Sequence, residues 1–156
     1  MPNLTRIPLI AVTAFVAVTA LGGGLTLALS SIFIGIRGDF LPPASYLDGS
    51  PFASYLIPGL ALLILVSAPH FVAMTAVIGR WDWAPLTVAF GGFACVIWIF
   101  VQMIFIPFSW LQALYFTTGL IELGLVLVVL GVLDPLFGRR RRHTQARPAS
   151  TQRLAA

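Results

Sequence analysis

A carboxyl group and an imidazole stand inside apolar runs of this sequence, where ionisable side chains are costly. Glu122 interrupts the run 109–133, SWLQALYFTTGLIELGLVLVVLGVL, near its middle, and His70 interrupts the run 56–78 at a similar depth. A charge at the centre of a membrane helix costs about 2.5–3.5 kcal/mol on insertion scales, so such groups face the protein interior or water and are functional-site hypotheses by default. An imidazole and a carboxyl at one depth can share or relay a proton, and a carboxylate facing water can hold a cation. The structural alternative is a carboxyl held by a hydrogen bond to a neighbouring helix. With only His70 available at its depth, Glu122 is expected to be neutral or to share a proton with that imidazole. Two ligands are too few for a metal, and no second histidine or cysteine spacing joins them, so neither metal nor cofactor is expected.

Weaker candidates surround the pair. On a helical wheel Glu122 shares a face with Tyr115, Thr118 and Gly119, a polar stripe on the last apolar run. Gly91, Cys95, Trp98 and Gln102 recur on one face of the run before it. Small and weakly polar residues hold membrane helices together, because lipid supplies no hydrophobic force between them. Gly22, Gly23, Gly24, Gly91, Gly119, Gly124 and Gly131 are therefore read as helix-packing positions. Thr117, Gly124 and Gly131, spaced by sevens, leave the back of the last helix open to a second copy of the chain.

Those residues need helices to position them, and composition says which kind. Hydrophobic residues make up 59% of the chain and charged ones 9%, against about 45–50% and about 25% in ordinary soluble domains. The expected fold is all-α, an integral membrane bundle of four transmembrane helices at about 7–36, 56–78, 84–106 and 109–133. The first run continues well past the small residues Val18 and Ala20, which argues against a cleaved signal peptide. Residues 37–55 read as an ordered loop, with Pro42-Pro43 blocking helix and Asp48-Gly49 inviting a turn. Pro69 is expected to kink the second span and free the carbonyl of Leu65, and a freed carbonyl can satisfy His70. Asp134-Pro135 ends the last helix, and 139–156 reads as a polar, basic tail without order of its own. Cys95 is the sole cysteine, so no intramolecular disulfide is available.

Every Lys-or-Arg position is arginine. Four spans put both termini on one side, with Arg6, Arg80, Arg139 to Arg142, Arg147 and Arg153, and leave Arg37 alone on the other. The positive-inside rule then makes both termini cytoplasmic. The cluster Arg139, Arg140, Arg141 and Arg142 points to anionic lipid head groups at that face, not to nucleic acid.

The segment Leu47-Asp48-Gly49-Ser50-Pro51-Phe52, followed by Tyr55-Leu56-Ile57-Pro58-Gly59-Leu60, is more specific than hydropathy requires. It resembles a group of small bacterial four-span membrane proteins that carry L-x-G-S-P-F-x-x-Y-L-I-P-G-x-x-L. The likeness extends to the first-span glycines, to Trp98 through Gln102, and to Ser109-Trp110-Leu111-Gln112 with Tyr115-Phe116 and Gly119. Ala113 departs from it, standing where the group has proline. The resemblance implies a four-span fold in a bacterial cytoplasmic membrane and transfers no activity and no functional residue. No Gly-rich phosphate loop, H-E-x-x-H or G-x-S-x-G occurs. The reading is therefore a non-enzymatic accessory or homo-oligomeric membrane protein. A small proton-linked transporter using Glu122 and His70 is the alternative, and a membrane enzyme acting on lipid or quinone the third.

Overall fold

A computed structural model describes residues 3–33 and 41–133. The chain forms four helices: α1 (Asn3–Ile32), α2 (Leu56–Gly79), α3 (Ala84–Phe105) and α4 (Trp110–Val129). Each is long and apolar enough to cross a membrane, and no strand occurs among the described residues. Helix α1 packs on α2 and α4, α2 on α3, and α3 on α4. The helices thus follow one another round a ring, with α2 and α4 facing each other across it. Outward-facing side chains on α3 are large and apolar, Leu86, Phe90, Phe93, Ile97, Phe100 and Ile104 among them, as a lipid-facing surface requires.

The helix ends are set by local chemistry, and three differ from the sequence expectation by four residues, among them the close of α1 at Ile32 in place of residue 36. Helix α1 begins at Asn3, before the expected residue 7, because Arg6 belongs to its first turns. Its Nε and Nη2 donate to the Val77 and Ile78 carbonyls at 3.2 and 2.9 Å, at the end of α2. A cation there also meets the negative end of the α2 dipole. Helix α4 stops at Val129, short of the expected 133, since Gly131 turns left-handed at φ 68°. The Val132 and Gly131 N–H groups then close back on the Leu127 and Val128 carbonyls. At the other end of α4, Ser109 and Gln112 form a capping box: Ser109 Oγ accepts from the Gln112 N–H, and Gln112 Oε1 accepts from the Ser109 N–H. The expected tail 139–156, with Arg139, Arg140, Arg141 and Arg142, lies outside the described residues, as do Arg37 and Asp134.

The loop before α2 shows why its residues are so particular. Asp48 (φ −62°, ψ 125°) and Gly49 (φ 79°) are the central residues of a type II turn, closed by the Ser50 N–H on the Leu47 carbonyl at 3.0 Å. Ser50 Oγ donates to the same carbonyl and accepts from the Phe52 N–H. The Tyr55 hydroxyl donates to the Pro43 carbonyl at 2.7 Å, tying the start of α2 to the loop.

Two glycine crossings bring helices closest. A Cβ on Gly59 of α2 would lie 2.7–2.8 Å from the Ala28 nitrogen and Gly24 oxygen of α1. Between α3 and α4, Gly92 and Gly119 each approach the other's carbonyl to 3.1 Å on the same measure. Of the other glycines expected to pack, Gly23 only touches Leu62, while Gly22 and Gly124 face open space. Gly131 lies beyond the end of α4, in the left-handed turn that terminates it.

Candidate functional site

The interior is layered. One apolar cluster joins Leu9, Ala73, Ala76, Val77, Ala84, Val88 and Val126. A second joins Val16, Ala20, Val66 and Cys95, with Leu62, Trp98 and Tyr115 against it. Along every helix the buried residues between these clusters are polar or small: Thr13 on α1, Ser67 and His70 on α2, Gly91 and Gly92 on α3, and Thr118, Gly119 and Glu122 on α4. His70 and Glu122 are fully enclosed, at 0% exposure each.

His70 reaches across the ring. Its Nε2 lies 3.0 Å from Glu122 Oε2, so the pair ties α2 to α4, the two helices that do not pack side by side. The other ring nitrogen, Nδ1, lies 2.7 Å from the carbonyl of Val66, four residues before it, and not from that of Leu65. Gly91 provides the room, since its backbone sits against the imidazole and a Cβ there would touch the ring at 3.4 Å.

These contacts restrict the protons. A carbonyl only accepts, so Nδ1 carries hydrogen and donates to Val66. Nε2 is then left with two arrangements. Either it accepts from a protonated Glu122 Oε2, or it donates as imidazolium to the carboxylate. Both hold one proton between the two heavy atoms, and both leave the pair neutral. Removing that proton would set the imidazole lone pair against a carboxylate oxygen in apolar surroundings, an uncompensated buried charge. Glu122 Oε1 is buried and has no hydrogen-bond partner among the described residues.

A π-helical segment places His70. Residues Leu62–Ser67 form it in mid-α2, ending two residues ahead of Pro69, beside which a local kink was expected. At about 100° per residue, an unbroken α-helix would bring His70 back to within about 20° of Gly59, on the face turned to α1. The π segment absorbs one residue more than an α path, so His70 instead turns toward α3 and α4. Gly59 can then cross Gly24 while His70 meets Glu122. The same segment directs Ser67 Oγ to the Ala17 carbonyl of α1 at 2.9 Å.

The other expected site residues stay apart from the pair. Thr118 is buried one turn from Glu122, but its hydroxyl donates to the Leu114 carbonyl of its own helix at 2.7 Å. Tyr115 packs against the second apolar cluster, stacked on Phe15 with ring centres 6.1 Å apart. Gln102 sits half-buried near the end of α3. Among the described residues no three His, Cys, Asp or Glu side chains gather to hold a metal ion.

Four contributors escaped the sequence reading. Thr13 is fully buried and back-bonds to Leu9, filling the polar layer from α1. Ser67 and Arg6 make the interhelical bonds described above. Gln112 is 3% exposed, and its Nε2, like Trp98 Nε1, is buried without a partner among the described residues. Only Gln112 had a legible signal, the S-x-x-Q capping-box spacing. Comparison with protein-family models, with curated proteins and with solved structures finds no match to this chain.

Proposed function

We propose that this chain is a non-enzymatic multi-pass membrane protein, an accessory or self-associating component, whose His70–Glu122 pair is an internal tie. The carrying observation is enclosure: both side chains are 0% exposed and lie between two apolar clusters. A tie between opposite helices needs no route to water. A working proton or cation site does.

The proposal extends to a bacterial cytoplasmic membrane with both termini inside. It rests on the arginine asymmetry and on the resemblance carried by Leu47 to Leu62. Arg139, Arg140, Arg141 and Arg142 would then lie against anionic head groups, with a membrane protein or a second copy as partner.

A proton-linked carrier remains the second reading, favoured by the unpartnered Glu122 Oε1, which could receive a further proton. Purification in mild detergent with mass spectrometry, paired with a proton-flux assay in liposomes, separates the two. The accessory reading expects a stoichiometric partner or self-assembly and no flux. Flux abolished by Glu122→Gln would overturn it in favour of the carrier.

A further inference from the structure

The reversal between α2 and α3 holds a second polar feature, at the opposite extreme of exposure from the buried pair. Arg80 ends α2 in the left-handed region at φ 57°, and the Trp81 N–H closes on the Ala76 carbonyl at 3.1 Å. Trp81 lies over Gly79, where a Cβ would come within 2.9 Å of the indole nitrogen, and is 4.7 Å from the Trp83 ring centre to centre. The backbone closure and both aromatic contacts hold this indole in place. Beside it opens a crevice of about 210 Å³ lined by Val77, Arg80, Trp81, Asp82 and Pro85.

Two opposite charges stand in that wall, both exposed. Neither Arg80 nor Asp82 makes an ion pair or side-chain hydrogen bond with any described residue, and among those residues the one ion-pair contact is His70–Glu122. The crevice opens where two apolar helices end, at the depth of lipid head groups, and tryptophan is the residue suited to that boundary. Its chemistry is that of a receptor for a zwitterion. A guanidinium grips a phosphodiester in bidentate fashion. A carboxylate accepts N–H bonds from a primary ammonium, and an indole face attracts the same cation.

We propose that this crevice binds the head group of a phosphatidylethanolamine-type phospholipid, with phosphate on Arg80 and ammonium between Asp82 and Trp81. A glycerol head group would satisfy Arg80 and leave Asp82 facing the lipid's negative charge. A choline head group offers Asp82 no N–H. The inference needs the chain to lie in a bilayer and is independent of the accessory role, so loss of one leaves the other standing.

The test is native mass spectrometry of the full chain released from nanodiscs made with ethanolamine, choline or glycerol phospholipids of one acyl composition. The wild type should retain the ethanolamine lipid at least about tenfold over the other two, a ratio that one charge-assisted hydrogen bond supports. Asp82→Asn should erase that preference, and Arg80→Gln should lower retention of all three. Neither side chain bonds within the described protein, so melting should be unchanged in both variants, which separates lost binding from lost fold. Equal retention of the three lipids, a preference for the glycerol lipid, or an intact preference in Asp82→Asn would each overturn the assignment.

Discussion

Glu122 shows how far one residue can be read. Its depth in an apolar run and the presence of His70 at matching depth were legible, because both follow from hydropathy and span order. The identity of the bonding atoms was not, since it depends on the Val66 carbonyl taking Nδ1 and leaving Nε2 for the carboxyl. One proton between Nε2 and Oε2 gives sharp expectations for variants. Glu122→Gln keeps a donor toward Nε2, so its cost should stay within about 1 kcal/mol. Glu122→Ala strands Nε2 and opens a cavity, and unfolding measurements should register a loss of about 3–5 kcal/mol. Apolar surroundings favour the arrangement without separated charges, the proton on Oε2. Infrared spectra near pH 7 should therefore contain a protonated-carboxyl band that vanishes in Glu122→Gln; its absence from the wild type would mean the ion-paired form. Tyr55, outside the spans, supplies a pH dependence of opposite accessibility. Burial first, and Tyr46 second, hold its phenol above the ordinary value of about 10. The protonated phenol donates to Pro43, so its contribution is complete below about pH 10 and lost as pH rises through the higher folded value. Alkaline melting curves should fall less steeply for Tyr55→Phe than for wild type.

Among the elements, the four spans were legible from length and composition, whereas their contacts were not. Hydropathy assigns no face to a helix that is apolar all round, and the small residues were too many to rank. Gly22, Gly23 and Gly24 read alike, yet only Gly24 meets the backbone of Gly59. Gly59→Ala, pressed against backbone atoms that cannot turn aside, should destabilise by about 1–3 kcal/mol, and Gly22→Ala, with open space, should not destabilise. Steric trapping or denaturant melts of the two variants would decide it. The π segment was equally hidden, because a wheel drawn at constant pitch keeps Gly59 and His70 on one face. If that segment absorbs a single extra residue, deleting exposed Ile64 should restore α-helix and preserve both contacts. Inserting one alanine after Ile64 should instead rotate His70 away from Glu122 and cost about as much as Glu122→Ala. A deletion as damaging as the insertion would refute this account of the segment.

For the whole molecule, orientation is the property that charge determines and packing does not. The four helices would pack the same way with either end facing the cytoplasm, and the contacts between them carry no sign of direction. In the proposed orientation arginine supplies the sign, because a guanidinium resists translocation and four spans would divide the nine arginines of the sequence eight to one. Arg6 adds a structural reason for its own end to stay fixed, as its guanidinium holds the Val77 and Ile78 carbonyls and joins α1 to the close of α2. Ser50, in the turn before α2, belongs to the arginine-poor side, and Thr144 to the side of the tail. A cysteine at Ser50 should react with an impermeant maleimide in intact cells, and one at Thr144 only after the membrane is opened. Cys95 gives little background, being 1% exposed inside the second apolar cluster. Replacing Arg139 to Arg142 with glutamine would remove half of the positive charge proposed to lie inside, so the Thr144 cysteine should begin to label from outside in part of the population while Ser50 labelling declines to match. Labelling at Thr144 from outside in the parent chain would reverse the orientation and move Arg80 and Asp82 to the outer leaflet, with the bundle and its buried pair unchanged.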